Sequence, residues 1–314
     1  MAVPAAACQA ESHRLLESAG TAGLTRVAGQ FVEVRVVAPG ILLGVGSAVA
    51  WGTGDFAGGL AARRAGGMLV TGGAQVIGLL LLLGAVVVVR PDPPAVTTIV
   101  LGAIGGVFGG LGLAALYRGL SLGAMGLVSA VSGVGGVLIP LSVGFLLWGT
   151  SVHPLQLAGV GCALAAVAAA SGATTRGVHR DAVLLAVVAA FGFGLWFVFL
   201  DRAAEHDQLW ALVAARGSAA LVIGGGALLR SDRSGLRGVL PLLGVAGAMD
   251  VAANGMVVLA FATVPVGIAA ALSGTYPLTT MLLARTLLGE ALPRLGLLAV
   301  VLAVVGIALI SLGN

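Results

Sequence analysis

From residue 40 onward the chain alternates long unbroken apolar runs with short breaks that hold arginines, carboxylates and prolines. Ten runs are long enough to cross a bilayer, at roughly 41–61, 68–89, 96–118, 124–148, 154–171, 182–201, 209–229, 239–261, 266–288 and 292–312. Each crossing by a helix needs about 20 residues. Spanning strands would need alternating segments of about ten residues, so continuous runs of this length predict helices. Residues 1–39 read differently. They carry Glu11, Arg14, Glu17, Arg26, Glu33 and Arg35 at ordinary spacing, without a basic start followed by an apolar core. They are expected to form a polar extension.

Composition sharpens this. Of 314 residues, 59% are hydrophobic and 9% are charged. A soluble domain carries roughly a quarter charged residues, and so few charges cannot cover the surface of a water-soluble globule. A soluble enzyme, a disordered chain and a collagen-like repeat are excluded, which leaves a multi-pass protein of a cell membrane, with the lipid bilayer as its solvent. Every basic residue is an arginine. No basic stripe is interleaved with aromatics, so a nucleic-acid partner is not expected. Cys8 and Cys162 give no disulfide framework, and Cys162 in an apolar run reads as small-residue packing.

The apolar part repeats at an offset of about 140 residues. Ala50-Trp51-Gly52-Thr53-Gly54 falls on Ala190-Phe191-Gly192-Phe193-Gly194, Arg90 on Arg230, and Leu147-Trp148-Gly149 on Leu287-Leu288-Gly289. With one residue of slip, Ser132-Gly133 meets Ser273-Gly274. The predicted units are 40–172 and 181–312, five helices each. An odd number of crossings starts the second unit on the opposite side, so the copies are expected to be inverted. Inverted repeats around a midplane site recur in secondary transporters.

Four segments carry a family resemblance. They are Ser47-Ala48-Val49-Ala50-Trp51-Gly52, Ala115-Leu116-Tyr117-Arg118-Gly119-Leu120, Ser273-Gly274-Thr275-Tyr276-Pro277-Leu278 and Leu287-Leu288-Gly289-Glu290. Together they resemble the drug/metabolite transporter superfamily, EamA type, over nearly everything after residue 40. The resemblance implies a non-enzymatic permease that moves a small molecule without a cofactor, with both termini in the cytoplasm. The sequence departs from that pattern at three places. Thr150 stands where Glu290 stands in the second unit, Pro140 lies about one turn later than Pro277, and Asp55 occupies a position where members often carry an uncharged polar residue.

Candidate site residues follow from cost. An Asp or Arg at the centre of a spanning helix costs about 2.5–3.5 kcal/mol on insertion scales, so each must face the bundle interior or a wet cavity. Asp55, Asp250 and Arg216 are the charges well inside the runs, away from their ends. Asp55 either serves a cavity or hydrogen-bonds Thr53 or a neighbouring helix. Asp250 either serves a cavity or pairs with Arg216, and Asn254 shares its helical face one turn on. A carboxylate here suits a cationic substrate group or a coupling proton. Apolar cavities with a few convergent polar groups are the usual small-molecule sites. Trp51, Gln75, Tyr117, Ser132, Trp196, Ser273 and Tyr276 complete the expected substrate-binding set, with Phe56, Phe191 and Phe193 as further aromatics at similar depth. Trp148 and Trp210 suit interfacial belts instead.

Gly102, Gly105, Gly106, Gly109 and Gly110 have small-xxx-small spacing. Packing within the bundle accounts for it better than a homodimer face does. Pro140 and Pro277 are expected to kink their helices. Gly52-Thr53-Gly54-Asp55 matches the Gly-x-Gly-Asp signature of intramembrane aspartyl proteases, with Asp250 as the second carboxylate. The family's order is reversed here and its Pro-Ala-Leu is absent. A receptor or scaffold without transport is a further class, disfavoured by the repeat. No P-loop, zinc spacing or nucleophile elbow occurs, so no metal or cofactor is expected.

Orientation is in conflict. With the amino end cytoplasmic, the inside holds Arg14, Arg26, Arg35, Arg90 and Arg202. The outside then holds Arg63, Arg64, Arg176, Arg180, Arg230, Arg233, Arg237 and Arg294, with Arg118 and Arg285 near helix ends. The positive-inside rule favours the reverse. The orientation implied by the resemblance is the working expectation.

Overall fold

A computed structural model describes residues 39–313, apart from 150, 174–177, 206, 231–234, 262 and 265. The extension, Cys8, His13, Thr150, Arg176, His206 and Arg233 therefore lie outside the described residues. Among the described residues there are helices and no strands. The helices are α1 (39–65), α2 (Gly67–Val89), α3 (Val96–Ser121), α4 (Met125–Trp148), α5 (Pro154–Ala173), α6 (Arg180–Ala204), α7 (Gln208–Ala219), α8 (Gly225–Arg230), α9 (Leu240–Phe261), α10 (Val266–Ser273), α11 (Tyr276–Leu288) and α12 (Arg294–Leu312). Seven stretches are long and apolar enough to cross a membrane: Gly67–Val89, Val96–Ser121, Met125–Leu147, Arg180–Ala204, Gln208–Leu229, Arg237–Ala260 and Arg294–Leu312. A shorter apolar helix covers Pro154–Ala170. Exposed leucines and valines run along these helices, such as Leu42, Val88, Leu146, Leu221 and Leu229. This is the surface a bilayer would solvate, because a helix satisfies its own backbone polar groups in lipid.

Local chemistry sets the helix ends. Gly66, at φ 80°, alone separates α1 from α2. Pro93 and Pro94 precede α3, and Ala95 is extended before its first turn. Gly149 and Gly289 end α4 and α11 in the left-handed conformation, with φ 65° and 66°. Their backbone N–H groups donate to Gly144 O and Ala284 O respectively. Glycine adopts this cap without a Cβ penalty. Asp207 caps α7 by accepting from the Trp210 backbone N–H at 3.0 Å.

Two of the expected helices are interrupted. The run 209–229 passes through a π turn at Ala220–Gly224, between α7 and α8. The run 266–288 breaks at Gly274–Thr275, where Thr275 N–H donates to Leu272 O and its hydroxyl donates to the same carbonyl at 2.6 Å. Pro277 then sits in the first turn of α11, where a missing N–H costs nothing. The expected mid-helix kink at Pro277 is thus a full break two residues earlier, while Pro140 does lie inside α4.

Small residues let the helices approach. Gly102, Gly105, Gly106, Gly109 and Gly110 of α3 meet Ala211, Phe199, Ala215, Trp196 and Ile223, so their faces are filled within the bundle by α6, α7 and the π turn. Gly192 of α6 meets Gly112 of α3, and Gly135 of α4 meets the Ala190 backbone of α6. Further pairs are α2 with α9, α3 with α7, and α5 with α12. Helix α1 is central: Gly52 lies against Tyr276 and Thr279 of α11, Gly54 against Ala246 of α9, and Gly58 against the Tyr117 ring of α3.

Candidate functional site

The glycine faces of α1 bring its polar residues against α4, α9 and α11. Ser47, Trp51 and Asp55 follow at four-residue spacing, which places them on one face of the helix. Two polar groupings form there.

The first surrounds Asp250. Its carboxylate pairs with the Arg216 guanidinium of α7. The Trp51 indole donates to Asp250 Oδ1 at 3.2 Å. Asn254, one turn on, donates through Nδ2 to the Asp250 carbonyl at 2.7 Å and to Oδ1 at 3.3 Å. Arg216 also donates to Gln75 Oε1 of α2 at 2.9 Å. Five of the expected residues, Trp51, Gln75, Arg216, Asp250 and Asn254, are thereby joined across four helices. Arg216 and Gln75 are buried, and the Asp250 side chain keeps 24% exposure. A guanidinium and a carboxylate can remain charged here because each has the other and further hydrogen bonds.

The second surrounds Asp55, which is buried. Ser129 of α4 donates to its Oδ2 at 3.0 Å, and the Ser129 hydroxyl lies 3.4 Å from Thr280 Oγ1 of α11. Thr280 donates to Gly52 O at 3.2 Å. The Tyr276 hydroxyl donates to Ser129 O at 3.4 Å. An edge-to-face contact between Trp51 and Tyr276, with centroids 6.1 Å apart, links this grouping to the first. Thr53 hydrogen-bonds Val49 O rather than Asp55. The two carboxylates have separate partners, with no hydrogen bond between them among the described residues. A protease dyad needs its carboxylates to share a proton.

The remaining expected residues are placed as follows. Tyr117 is buried with its ring against Gly58. Ser132 donates to Ser129 O at 2.8 Å, within its own helix. Ser273 is buried at the end of α10, its hydroxyl 3.5 Å from Gly44 O. Trp196 stands apart from both groupings. It packs on Gly109, Phe197 and the Leu82–Leu212–Val213 cluster. Phe56 is buried, Phe193 packs on Gly112, and Phe191 is 61% exposed and points away from the interior. Trp210, at a helix end, donates its indole N–H to Asp92 O at 2.9 Å. The side chain of Trp148 lies outside the described residues.

Sequence reasoning did not single out Thr280 or Thr71. Thr280 lies one turn after Tyr276, opposite Gly52, and that spacing was its available signal. Thr71 Oγ1 and Ser47 Oγ are buried and have no hydrogen-bond partner among the described residues. Each lies one turn before a member of the first grouping, Thr71 before Gln75 and Ser47 before Trp51. Elsewhere, a cavity of about 240 Å³ opens near the helix ends, lined by Leu122–Ala124, Val178, His179 and Glu290–Pro293. Beside it, Glu290 accepts from Arg63 at 2.7 Å and from the Met125 backbone N–H at 3.0 Å, holding α1, α4 and the 289–293 connection together. No group of three or more His, Cys, Asp or Glu side chains among the described residues is placed to hold a metal.

No curated protein matches the sequence. A solved structure described only as the crystal structure of a protein is similar in fold, with a TM-score of 0.58 and 20% identity, over 86% of this chain and 94% of that one. Residues 181–312 match the EamA-like transporter family. With its long apolar helices, the chain is a multi-pass membrane protein in which residues 181–312 are similar to the EamA-like transporter family.

Proposed function

We propose that the chain is a secondary transporter of ten spans, built from inverted units at 40–172 and 181–312 with a polar extension before them. It moves a small organic metabolite or drug across a cell membrane by alternating access. The observation that carries the reading is the Arg216–Asp250 pair inside the bundle, held by Trp51, Gln75 and Asn254 beside the buried carboxylate of Asp55. Charges are kept inside an apolar bundle at a cost, and in membrane proteins they mark substrate or ion paths. Ser47 and Thr71 supply buried hydroxyls next to the same groups.

Helix pairing supports the two-unit reading. Exchanging the units turns the α2–α9 pair into the α7–α3 pair, and the α5–α12 pair into itself; all three pairings occur. The α4–α6 pair becomes α11–α1, which meets through Gly52. The glycine caps of α4 and α11 donate to carbonyls 140 positions apart, Gly144 and Ala284.

In this reading Asp250 and Arg216 offer a carboxylate and a guanidinium to a polar substrate, and Asp55 carries a coupling proton. The test is flux into proteoliposomes for a panel of labelled metabolite classes, with and without a pH gradient. Wild-type protein should move at least one class faster than empty vesicles. Asp55→Asn and Asp250→Asn should each reduce that flux. Equal flux in wild-type and both variants overturns the assignment of the site.

A further inference from the structure

The two ends of the bundle differ sharply in charge. Five connections gather at one end. The turn at Gly235 packs against the Arg64 backbone, and Gly67 meets Arg118. Glu290 bonds Arg63 and Met125 N–H, and the cavity walls join 122–124, 178–179 and 290–293. Arg63, Arg64, Arg118, Arg180, Arg237, Arg285 and Arg294 are all exposed at this end, against two described carboxylates, Asp181 and Glu290. Glu290 is moreover already paired with Arg63.

At the other end, Trp210 bonds Asp92 O and Gly40 lies against Thr263 and Val264. Arg90 and Arg202 stand there among four described carboxylates: Asp92, Asp201, Glu205 and Asp207. The start of α1 and the end of α12 are on this side, because α1 and α12 point their opposite termini toward the arginines. The arginines lie on five separate connections, so the charge forms a rim around the bundle rather than one pocket.

We infer that the arginine rim docks onto the anionic phospholipid headgroups of the cytoplasmic leaflet, which puts the start of α1 and residue 313 on the outer side. Guanidinium groups bind phosphate bidentately, and a basic surface is drawn to the negative potential of the inner leaflet. Arginine on short connections also sets insertion so that those connections stay inside. The inference rests on the chain crossing the membrane and not on transport. It runs against the orientation implied by the family resemblance, which places both termini in the cytoplasm.

Two single-cysteine variants test it, in a chain with Cys8 and Cys162 replaced by Ala. Gly238→Cys sits beside Arg237, where an added Cβ meets nothing within 4 Å. Ala95→Cys sits at the exposed start of α3 on the other side. Intact cells are treated with a membrane-impermeant maleimide. Ala95→Cys should label in intact cells, and Gly238→Cys should label several-fold more after permeabilisation. The reverse pattern, or equal labelling of both sites in intact cells, overturns the orientation.

The lipid contact has its own readout. In phosphatidylcholine vesicles containing phosphatidylglycerol, the unfolding midpoint should be higher than in phosphatidylcholine alone. Arg64→Gln, Arg237→Gln and Arg294→Gln combined should remove the difference. A midpoint that ignores phosphatidylglycerol in the wild-type protein overturns the lipid contact.

Discussion

Arg216 on α7 and Asp250 on α9 form an ion pair inside the bundle, and the same guanidinium nitrogen donates to Gln75 Oε1 on α2 at 2.9 Å. The pair therefore ties three helices through one side chain. Removing Asp250 leaves the buried Arg216 guanidinium without its counter-charge, which costs about 3–5 kcal/mol. Asp250→Leu is expected to destabilise by that amount, Arg216→Met by less because the Asp250 side chain keeps 24% exposure, and the double variant by far less than their sum. Unfolding midpoints in detergent for the complete cycle check this; additive losses would contradict it.

Asp55 differs, because its described hydrogen-bond partner is a hydroxyl rather than a cation. Asp55→Asn keeps the shape and an acceptor for Ser129 while removing the proton-binding site. It is expected to fold normally and to flatten the pH profile of transport. Ser129→Ala removes a hydrogen bond that favours the carboxylate form, so the pH dependence should persist but shift in position. A pH profile in Asp55→Asn that matches wild type would remove Asp55 from coupling.

Glu290 has two separable roles. Its pair with Arg63 is partly exposed, with side-chain exposures of 32% and 20%, and such pairs contribute about 0.2–1 kcal/mol. Its bond to the Met125 N–H caps α4, and losing a cap costs about 0.5–2 kcal/mol. Glu290→Gln is thus expected to lose less stability than Glu290→Ala. Thermal unfolding of both variants decides it, and equal losses would show that capping is not the larger share.

Close helix approach predicts a contrast between two glycines. A Cβ at Gly135 collides with the Ala190 backbone, whereas one at Gly161 meets nothing within 4 Å. Gly135→Ala should cost at least about 1–3 kcal/mol through overpacking. Gly161→Ala should be neutral or stabilise by up to about 1 kcal/mol, since alanine favours the helix interior. Yield and monodispersity after solubilisation, with unfolding midpoints, distinguish the two.

The helices were legible because bilayer-length apolar runs admit few alternatives. The charges Asp55, Arg216 and Asp250 were legible because isolation in such runs makes each stand out, and Asn254 followed from helical spacing. The break at Gly274–Thr275 was not, since Gly and Thr occur throughout these runs without interrupting them. Trp196 illustrates a second limit. Its depth matches Trp51, but depth does not reveal which neighbour a side chain meets, and Gly109 draws it to the α3–α6 contact. Thr280 was obscured because hydroxyl residues are common in these helices and many bond only their own backbone, as Ser132 and Thr286 do.

The single residue Gly66 between α1 and α2 restricts the mechanics of the arginine end. One extended residue reaches only about 3.6 Å, so those two helix ends cannot part. They turn about a common joint, carrying Asp55 on one arm and Gln75 on the other. Beside this joint, Glu290 bonds Arg63 of α1 and the Met125 N–H of α4, so the 289–293 connection is fastened to the same hinge-bound end of α1 and to the first turn of α4 at once.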